Sequence, residues 1–311
     1  MHLRAGLLLL TVGSGCASAP LVCRAPKGLG GPPPAVARAP QTAADGTCLQ
    51  GFLWESPKPP RAVLIVVHGL LDHSTRYDAL AHAAGEKGFV VYAQDHRGHG
   101  ASGGARQRFD SIPELVADVD GLVNAAAQEH PGLPVFMLGH SLGGLVTASY
   151  ALEHPGKLRG IVLSGPALKL FPEVDALTRT AARFFGTVAP GLPAQDLDEA
   201  GFVSTPEARQ DFEHDPEIEH QKLPARSALA ALEGIEAIQA RMGELKLPLL
   251  IVHGGRDRIT NAAGGQELVE RAASADKRIA LYEGAFHDLL HEPVRDRVIG
   301  DVVAWLDTHA Q

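Results

Sequence analysis

Pro134-Val135-Phe136-Met137-Leu138-Gly139-His140-Ser141-Leu142-Gly143-Gly144 is a short apolar run that ends in a glycine-bracketed serine and leads into a helical pattern. Gly139 to Gly143 fit G-x-S-x-G, a sharp strand-to-helix turn that exposes the serine oxygen above a sheet. Glycine is required on both sides because a Cβ would collide with the tightly folded backbone. Val135 to Leu138 read as a buried strand and Leu142 to His154 as a helix, so the context suits the turn. A phosphate loop needs G-K-[ST] after the glycines, and none follows. Ser141 is therefore the candidate nucleophile.

A hydroxyl attacks poorly until a base takes its proton, so a histidine held by a carboxylate is needed elsewhere in the chain. Two later strand ends supply candidates. Leu247 to Val252 read as a strand, and His253-Gly254-Gly255-Arg256-Asp257 places an acid just past it, where loop residues of such sheets carry function. Arg278 to Tyr282 form the last strand, followed by Glu283-Gly284-Ala285-Phe286-His287. His287 stands nearer the strand end than His291, which reads as a surface or helix-start residue, so His287 is the candidate base. Pro293 then opens a terminal helix.

Upstream, Thr47 to Glu55 and Arg61 to Val67 read as strands, the second a continuous apolar run typical of a sheet covered on both faces. His68-Gly69-Leu70-Leu71 follows it directly. Tyr77 to Lys87 are helical by spacing, with Gly88 as C-terminal cap, and Phe89 to Ala93 are the next strand. In the turn Gln94 to Gly100, Asp95 and Arg97 are expected to hold the loop by hydrogen bonds rather than to bind metal. Ser111-Ile112-Pro113-Glu114 fits a capping box opening an amphipathic helix. Leu158 to Leu163 are a strand after the nucleophile helix. This alternation implies an α/β fold with a mostly parallel, doubly wound sheet. It stops between about 168 and 243, where Val174, Leu177, Ala181, Phe184 and Val188 form one helical stripe and Leu229, Leu232, Ile235, Ile238 and Met242 another. Both stripes read as core of an inserted helical cap, and such a lid favours an apolar substrate.

The chain has 311 residues, 45% hydrophobic content and a formal net charge of -8. That suits a globular core and argues against a polyanionic partner, and no basic cluster marks a nucleic-acid surface. No H-E-x-x-H or paired C-x-x-C spacing provides a metal site. At the start, Arg4, an apolar run from Ala5 to Val12 and then small residues have the form of an export signal, too short to span a bilayer. Two processing sites compete: ordinary cleavage after Ala17-Ser18-Ala19, or a lipobox-like Gly15-Cys16 at which Cys16 would be acylated and attach the protein to a membrane. Residues 20–45, rich in Pro, Ala and Gly, read as a disordered linker, with the catalytic domain starting at 46. Cys23 and Cys48 can pair in an oxidising compartment or stay as thiols. Export to a bacterial envelope or beyond is the expectation.

His68-Gly69, Asp95-His96-Arg97-Gly98-His99-Gly100, Gly139 to Gly144, Asp257 and His287 together resemble the monoacylglycerol lipase and lysophospholipase branch of the α/β-hydrolase superfamily, from about residue 46 to the end. In the cap, Ser204-Thr205-Pro206-Glu207 and His214-Asp215-Pro216 look like that branch's S-x-D-P-E and D-P segments, with Thr205 and a missing Asp as departures in the first. The resemblance implies that Ser141 attacks an ester carbonyl, His287 shuttles the proton, Asp257 orients His287, and the backbone N–H groups of Leu70 and Leu142 bind the oxyanion. It implies no metal or organic cofactor, and a single-chain lipid ester as substrate. A short-chain carboxylesterase, an acyltransferase with the same triad, and a non-catalytic binding protein on this fold remain as alternatives.

Overall fold

The computed structural model describes residues 21–25, 35–170 and 175–311. The signal-like segment with Cys16 and Ala17 to Ala19 lies outside them, as does Val174. In chain order the first strands are β1 (Val36–Ala37), β2 (Gln41–Thr42), β3 (Cys48–Leu49), β4 (Gly51–Trp54), β5 (Ala62–Val67) and β6 (Phe89–Gln94). After β6 come α2 (Ile112–Glu129), β7 (Val135–His140), α3 (Leu142–Glu153) and β8 (Gly160–Ser164), with α1 (Asp78–Gly85) lying between β5 and β6. The C-terminal part holds β11 (Leu249–Gly254), α7 (Ala262–Arg271), β12 (Lys277–Tyr282) and α8 (Arg295–His309). Between β8 and β11 the cap inserts α4 (Ala176–Val188), β9 (Pro193–Gln195), α5 (Pro206–Glu213), β10 (Leu223–Pro224) and α6 (Ala225–Arg241).

The main sheet has the order β1-β4-β6-β5-β7-β8-β11-β12. β1, β4 and β6 are joined by antiparallel ladders, and every ladder from β6 to β12 is parallel. Ala62 to Val67 are all nearly fully buried, which is why this strand carries no polar alternation: helices cover both of its faces. One core layer packs α2 and α3 on the sheet and the other packs α1 and α8. This is the α/β-hydrolase arrangement, a doubly wound sheet with a helical cap.

Three expectations need correction. The stretch 20–45 is not an unstructured linker where it is described. Val36 and Ala37 pair with Leu53 and Phe52, Gln41 and Thr42 pair with Leu49 and Cys48, and Asp45 forms an ion pair with Arg97. Backbone pairing at an open sheet edge asks little of composition, so Pro and Ala content did not reveal it. Cys23 and Cys48 are joined by a disulfide. The second correction concerns α4. Its stripe does not enter the core: Leu177 is 79% exposed and Phe184 and Val188 59% each. The helix meets α6 with its small side instead, since a Cβ on Gly186 would lie 2.8 Å from Leu229 Cδ2. The α6 stripe is the one that packs inward, with Leu229, Ile235, Ile238 and Met242 buried.

The third correction is local. Ser111 caps α2, its hydroxyl accepting from the Glu114 N–H at 3.1 Å, but the Glu114 carboxylate returns to the Asp110 N–H, one residue before the expected partner. Arg97 draws Glu114 aside, pairing with it at 2.5 Å and holding Asp118 through two further bonds. Thus Arg97 ties its loop to α2, while Asp95 ties the loop to itself and to Ser74: its carboxylate accepts from the Ser74 and Ala101 N–H groups, both at 2.8 Å.

Candidate active site

Ser141 stands one residue past the carboxyl end of β7, between the ends of β5 and β8, because Gly139 is paired with Val67 on one side and Leu163 on the other. Its backbone has φ 53° and ψ -116°, a conformation that L residues seldom adopt outside forced turns. The glycines explain why the chain can take it: a Cβ on Gly139 would lie 2.1 Å from Gly143 O, and one on Gly143 would lie 2.1 Å from Val67 O. The turn is fastened by the Ser141 N–H to Ser164 O at 2.9 Å and by Ser141 O accepting from Gly144, Leu145 and Ala167. Ser141 also opens α3, whose first N–H groups have no intrahelical carbonyl to meet. The Leu142 N–H is one of these, adjacent to the serine at the positive end of the helix dipole.

Gly69 packs against this turn, its virtual Cβ 3.0 Å from Ser141 Cβ. The loop that carries Leu70 therefore passes directly over the serine. Asp72 shapes it, accepting from the Gly69 N–H at 3.2 Å, the His73 N–H at 2.9 Å and the Tyr77 hydroxyl at 2.7 Å. Burial would raise the Asp72 pKa, but Arg76, 3.0 Å away, together with His68 and His140 reverses this and keeps the group a carboxylate. The next residue, Leu71, has φ 50° and is buried among Phe202, Val203, Phe212 and Ile218 of the cap.

His287 reaches the site from the loop after β12. That loop approaches β11 so closely that a Cβ on Gly254 would lie 1.9 Å from Phe286 O. The His287 ring is wholly buried, 4.8 Å from the His140 ring and 5.3 Å from the edge-on ring of Phe202. Its Nδ1 lies 2.7 Å from Asp257 Oδ2. The charged carboxylate can only accept, so Nδ1 carries the hydrogen and Nε2 is left with its lone pair. That Nε2 is buried and has no hydrogen-bond partner among the described residues.

Asp257 is held on both oxygens. Its Oδ1 accepts from the Ile259 and Thr260 N–H groups at 2.8 and 2.9 Å, and Oδ2 accepts from the Thr260 hydroxyl at 2.9 Å with His253 Nε2 at 3.1 Å. Burial alone would raise the Asp257 pKa; the electrostatic interaction with His287 and the bonds from His253 and His287 together reverse this and hold it far below the usual carboxylate range. Thr260 and His253 were not singled out from sequence. Thr260 sits three residues after the acid, a spacing that an Asx-type turn would have suggested. His140, beside the nucleophile, is pushed down to about 4, first by burial and then by His287, so its ring is neutral and its Nδ1 donates to Ser164 O at 3.0 Å. His291, expected as a surface or helix-start residue, is half-buried with a side chain 23% exposed. Its ring nitrogens face Asp288 Oδ1 at 2.8 Å and Arg76 O at 3.0 Å, so both are engaged away from Ser141.

A strained serine, a buried acid–histidine pair and the first backbone N–H of α3 beside the serine form the site of a hydrolase of the α/β-hydrolase fold. The chain matches the family described as serine aminopeptidase, S33, over residues 58–294, and it belongs to that family. Among its relatives, the monoacylglycerol lipase of Mycolicibacterium smegmatis is 38% identical over 257 residues, covering 83% of this chain and 92% of that protein. The human monoglyceride lipase is 32% identical over 266 residues, covering 85% of this chain and 88% of its own length. The crystal structure of a monoacylglycerol lipase from Paleococcus ferrophilus superposes with a TM-score of 0.77 at 30% identity, covering 84% of this chain and 99% of that one.

Proposed function

We propose that this protein hydrolyses carboxylic esters of single-chain lipids, monoacylglycerols or lysophospholipids, through an acyl-enzyme on Ser141. The observation that carries the reading is the unpartnered His287 Nε2, buried beside the serine turn while Nδ1 is committed to Asp257. Ser141 Oγ attacks the ester carbonyl as His287 Nε2 takes its proton. Asp257 keeps the ring in the required tautomer and offsets the charge it acquires. The tetrahedral oxyanion meets the N–H groups of Leu70 and Leu142, donors of a kind worth about 2.7 to 4 kcal/mol each. His287 then protonates the departing alcohol, and water, activated by the same nitrogen, releases the fatty acid.

The lipid class is supported by relatives named for monoacylglycerol hydrolysis and by the apolar residues beside the site, Leu71 of the loop after β5 and Phe202, Phe212 and Ile218 of the cap. The exposed Leu177, Phe184, Phe185 and Val188 on α4 further support work at a lipid surface, where an amphipathic helix buries such a face. Export from the cytosol is part of the proposal, with either an acylated Cys16 or cleavage after Ala19, and the Cys23–Cys48 disulfide supports it because such bonds persist in oxidising compartments.

Fatty-acid release from a long-chain monoacylglycerol by the purified protein, beside Ser141→Ala, tests the reading. Turnover by the parent alone is the expected result. Equal release by both would remove Ser141 from the mechanism, and release by neither would exclude the monoacylglycerol.

A further inference from the structure

The two cap segments that stood out in the sequence, Ser204 to Glu207 and His214 to Pro216, lie against the loops that carry the site rather than inside the cap. Asp215 Oδ2 lies 2.9 Å from His73 Nε2, on the loop of Leu70. Ser204 meets the loop of His287. The Glu292 carboxylate, only 4% exposed, accepts from both the N–H and the hydroxyl of Ser204, the latter at 2.5 Å. Two residues earlier in the cap, Phe202 O accepts from the Asp288 N–H at 2.8 Å, and the Phe202 ring stands edge-on to His287.

Glu292 follows His287 by five residues, and the intervening Leu289–His291 turn is packed by the buried Leu289 and Leu290. Asp288, directly after His287, is fixed from the other side by Arg76 at 2.8 Å and by His291. The turn between His287 and Glu292 is thus packed by buried side chains and pinned at Asp288. Phe202 is 3% exposed and its ring lies against the fully buried ring of His287, so this cap segment covers the base.

We propose that Glu292 is a positioning residue, and that its pair with Ser204 is a latch through which the seated cap aligns His287 for proton transfer. Substrate entry opens the latch, and reclosure over the bound ester restores the alignment, so that chemistry follows closure. The inference rests on the assignment of His287 as the base.

The test compares steady-state hydrolysis of a monoacylglycerol, and phosphonylation of Ser141 by a small fluorophosphonate, in the full-length parent, Ser204→Ala, Ser204→Thr and Glu292→Gln. Ser204→Ala and Glu292→Gln are expected to lower kcat about tenfold or more with KM changed less than about twofold, consistent with loss of a hydrogen bond to a charged group. Phosphonylation should slow in parallel, and Ser204→Thr, which keeps both donors, should restore kcat. Unchanged kcat with a lowered melting temperature would show a purely structural pair and overturn the proposal, as would an effect confined to KM. Should the parent neither release fatty acid nor be phosphonylated, the base assignment falls and the latch with it; a parent that is phosphonylated but spares the monoacylglycerol leaves the latch to be read from the phosphonylation rates. Parent turnover with unaffected variants removes the latch alone.

Discussion

Asp257 Oδ2 and His287 Nδ1 are 2.7 Å apart although 30 residues separate them, and the side chains are 1% and 0% exposed. A buried carboxylate held by two backbone N–H groups and a threonine hydroxyl cannot drift, so it dictates which nitrogen of His287 carries the hydrogen. Asp257→Asn should preserve the shape and invert this preference, because its amide can donate where the carboxylate could only accept. The expected loss is on the order of 10⁴-fold in kcat, the scale of the same change in other serine hydrolases. A loss below tenfold in purified, folded protein would mean that Asp257 does not orient the base.

Ser141 gives a prediction of opposite sign for stability. Its φ of 53° with ψ of -116° costs a β-carbon-bearing residue on the order of 1 to 3 kcal/mol, a strain that glycine does not feel. Ser141→Gly should therefore be inactive yet more stable, by about 1 kcal/mol after allowing for glycine's freer unfolded chain. Urea denaturation of the parent and variant measures this. A destabilised Ser141→Gly would show that the serine side chain, not the backbone, determines stability at the turn.

The sequence made this much of the site legible because strand ends and glycine spacing are local signals. Val135 to Leu138, the two glycines flanking Ser141 and the acid after β11 each announce themselves within a dozen residues. Edge pairing of Val36 and Ala37 does not, since it uses backbone groups that every residue has. The α4 stripe misled for a different reason: periodicity says that a helix has an apolar face, not which side meets its neighbour, and Gly186 decided that through close approach to Leu229. The Arg76–Asp288 ion pair and the Glu292–Ser204 contact join segments far apart in the chain, where a single sequence carries no pairing signal.

Acid should destabilise this protein well before its carboxylates are protonated. His99 is pushed down to about 3 and His140 to about 4, chiefly by burial, and burial lowers His68 and His96 as well. Each is neutral when folded, so below the ordinary histidine pKa of about 6.5 the unfolded chain takes up protons that the folded chain refuses. Stability is then full above about pH 6.5 and falls towards pH 4, by about 3 kcal/mol for His140 alone on the scale of roughly 1.4 kcal/mol per unit. His73, raised by its bond to Asp215 and nearby carboxylates despite the opposing effect of burial, offsets part of this. Urea midpoints at pH 7 and pH 4.5 measure the fall. His99→Asn can still donate towards Arg97 O and should flatten the slope; an unchanged slope would exclude His99 as a contributor.

The exposed face of α4 separates action at a lipid surface from action on dissolved ester. Leu177, Phe184 and Val188 contribute little to the core, so Leu177→Ser with Phe184→Ser should leave stability within about 0.5 kcal/mol of the parent. The same double variant should lose several-fold in kcat/KM on a micellar long-chain monoacylglycerol, because the apolar area that would enter the interface is gone. Hydrolysis of a short, soluble ester should be unchanged, since none of the altered side chains belongs to the apolar cap cluster around Leu71 and Phe202. If activity on both substrates falls together, α4 acts on the site itself; if neither falls, its apolar face has no part in reaching the lipid.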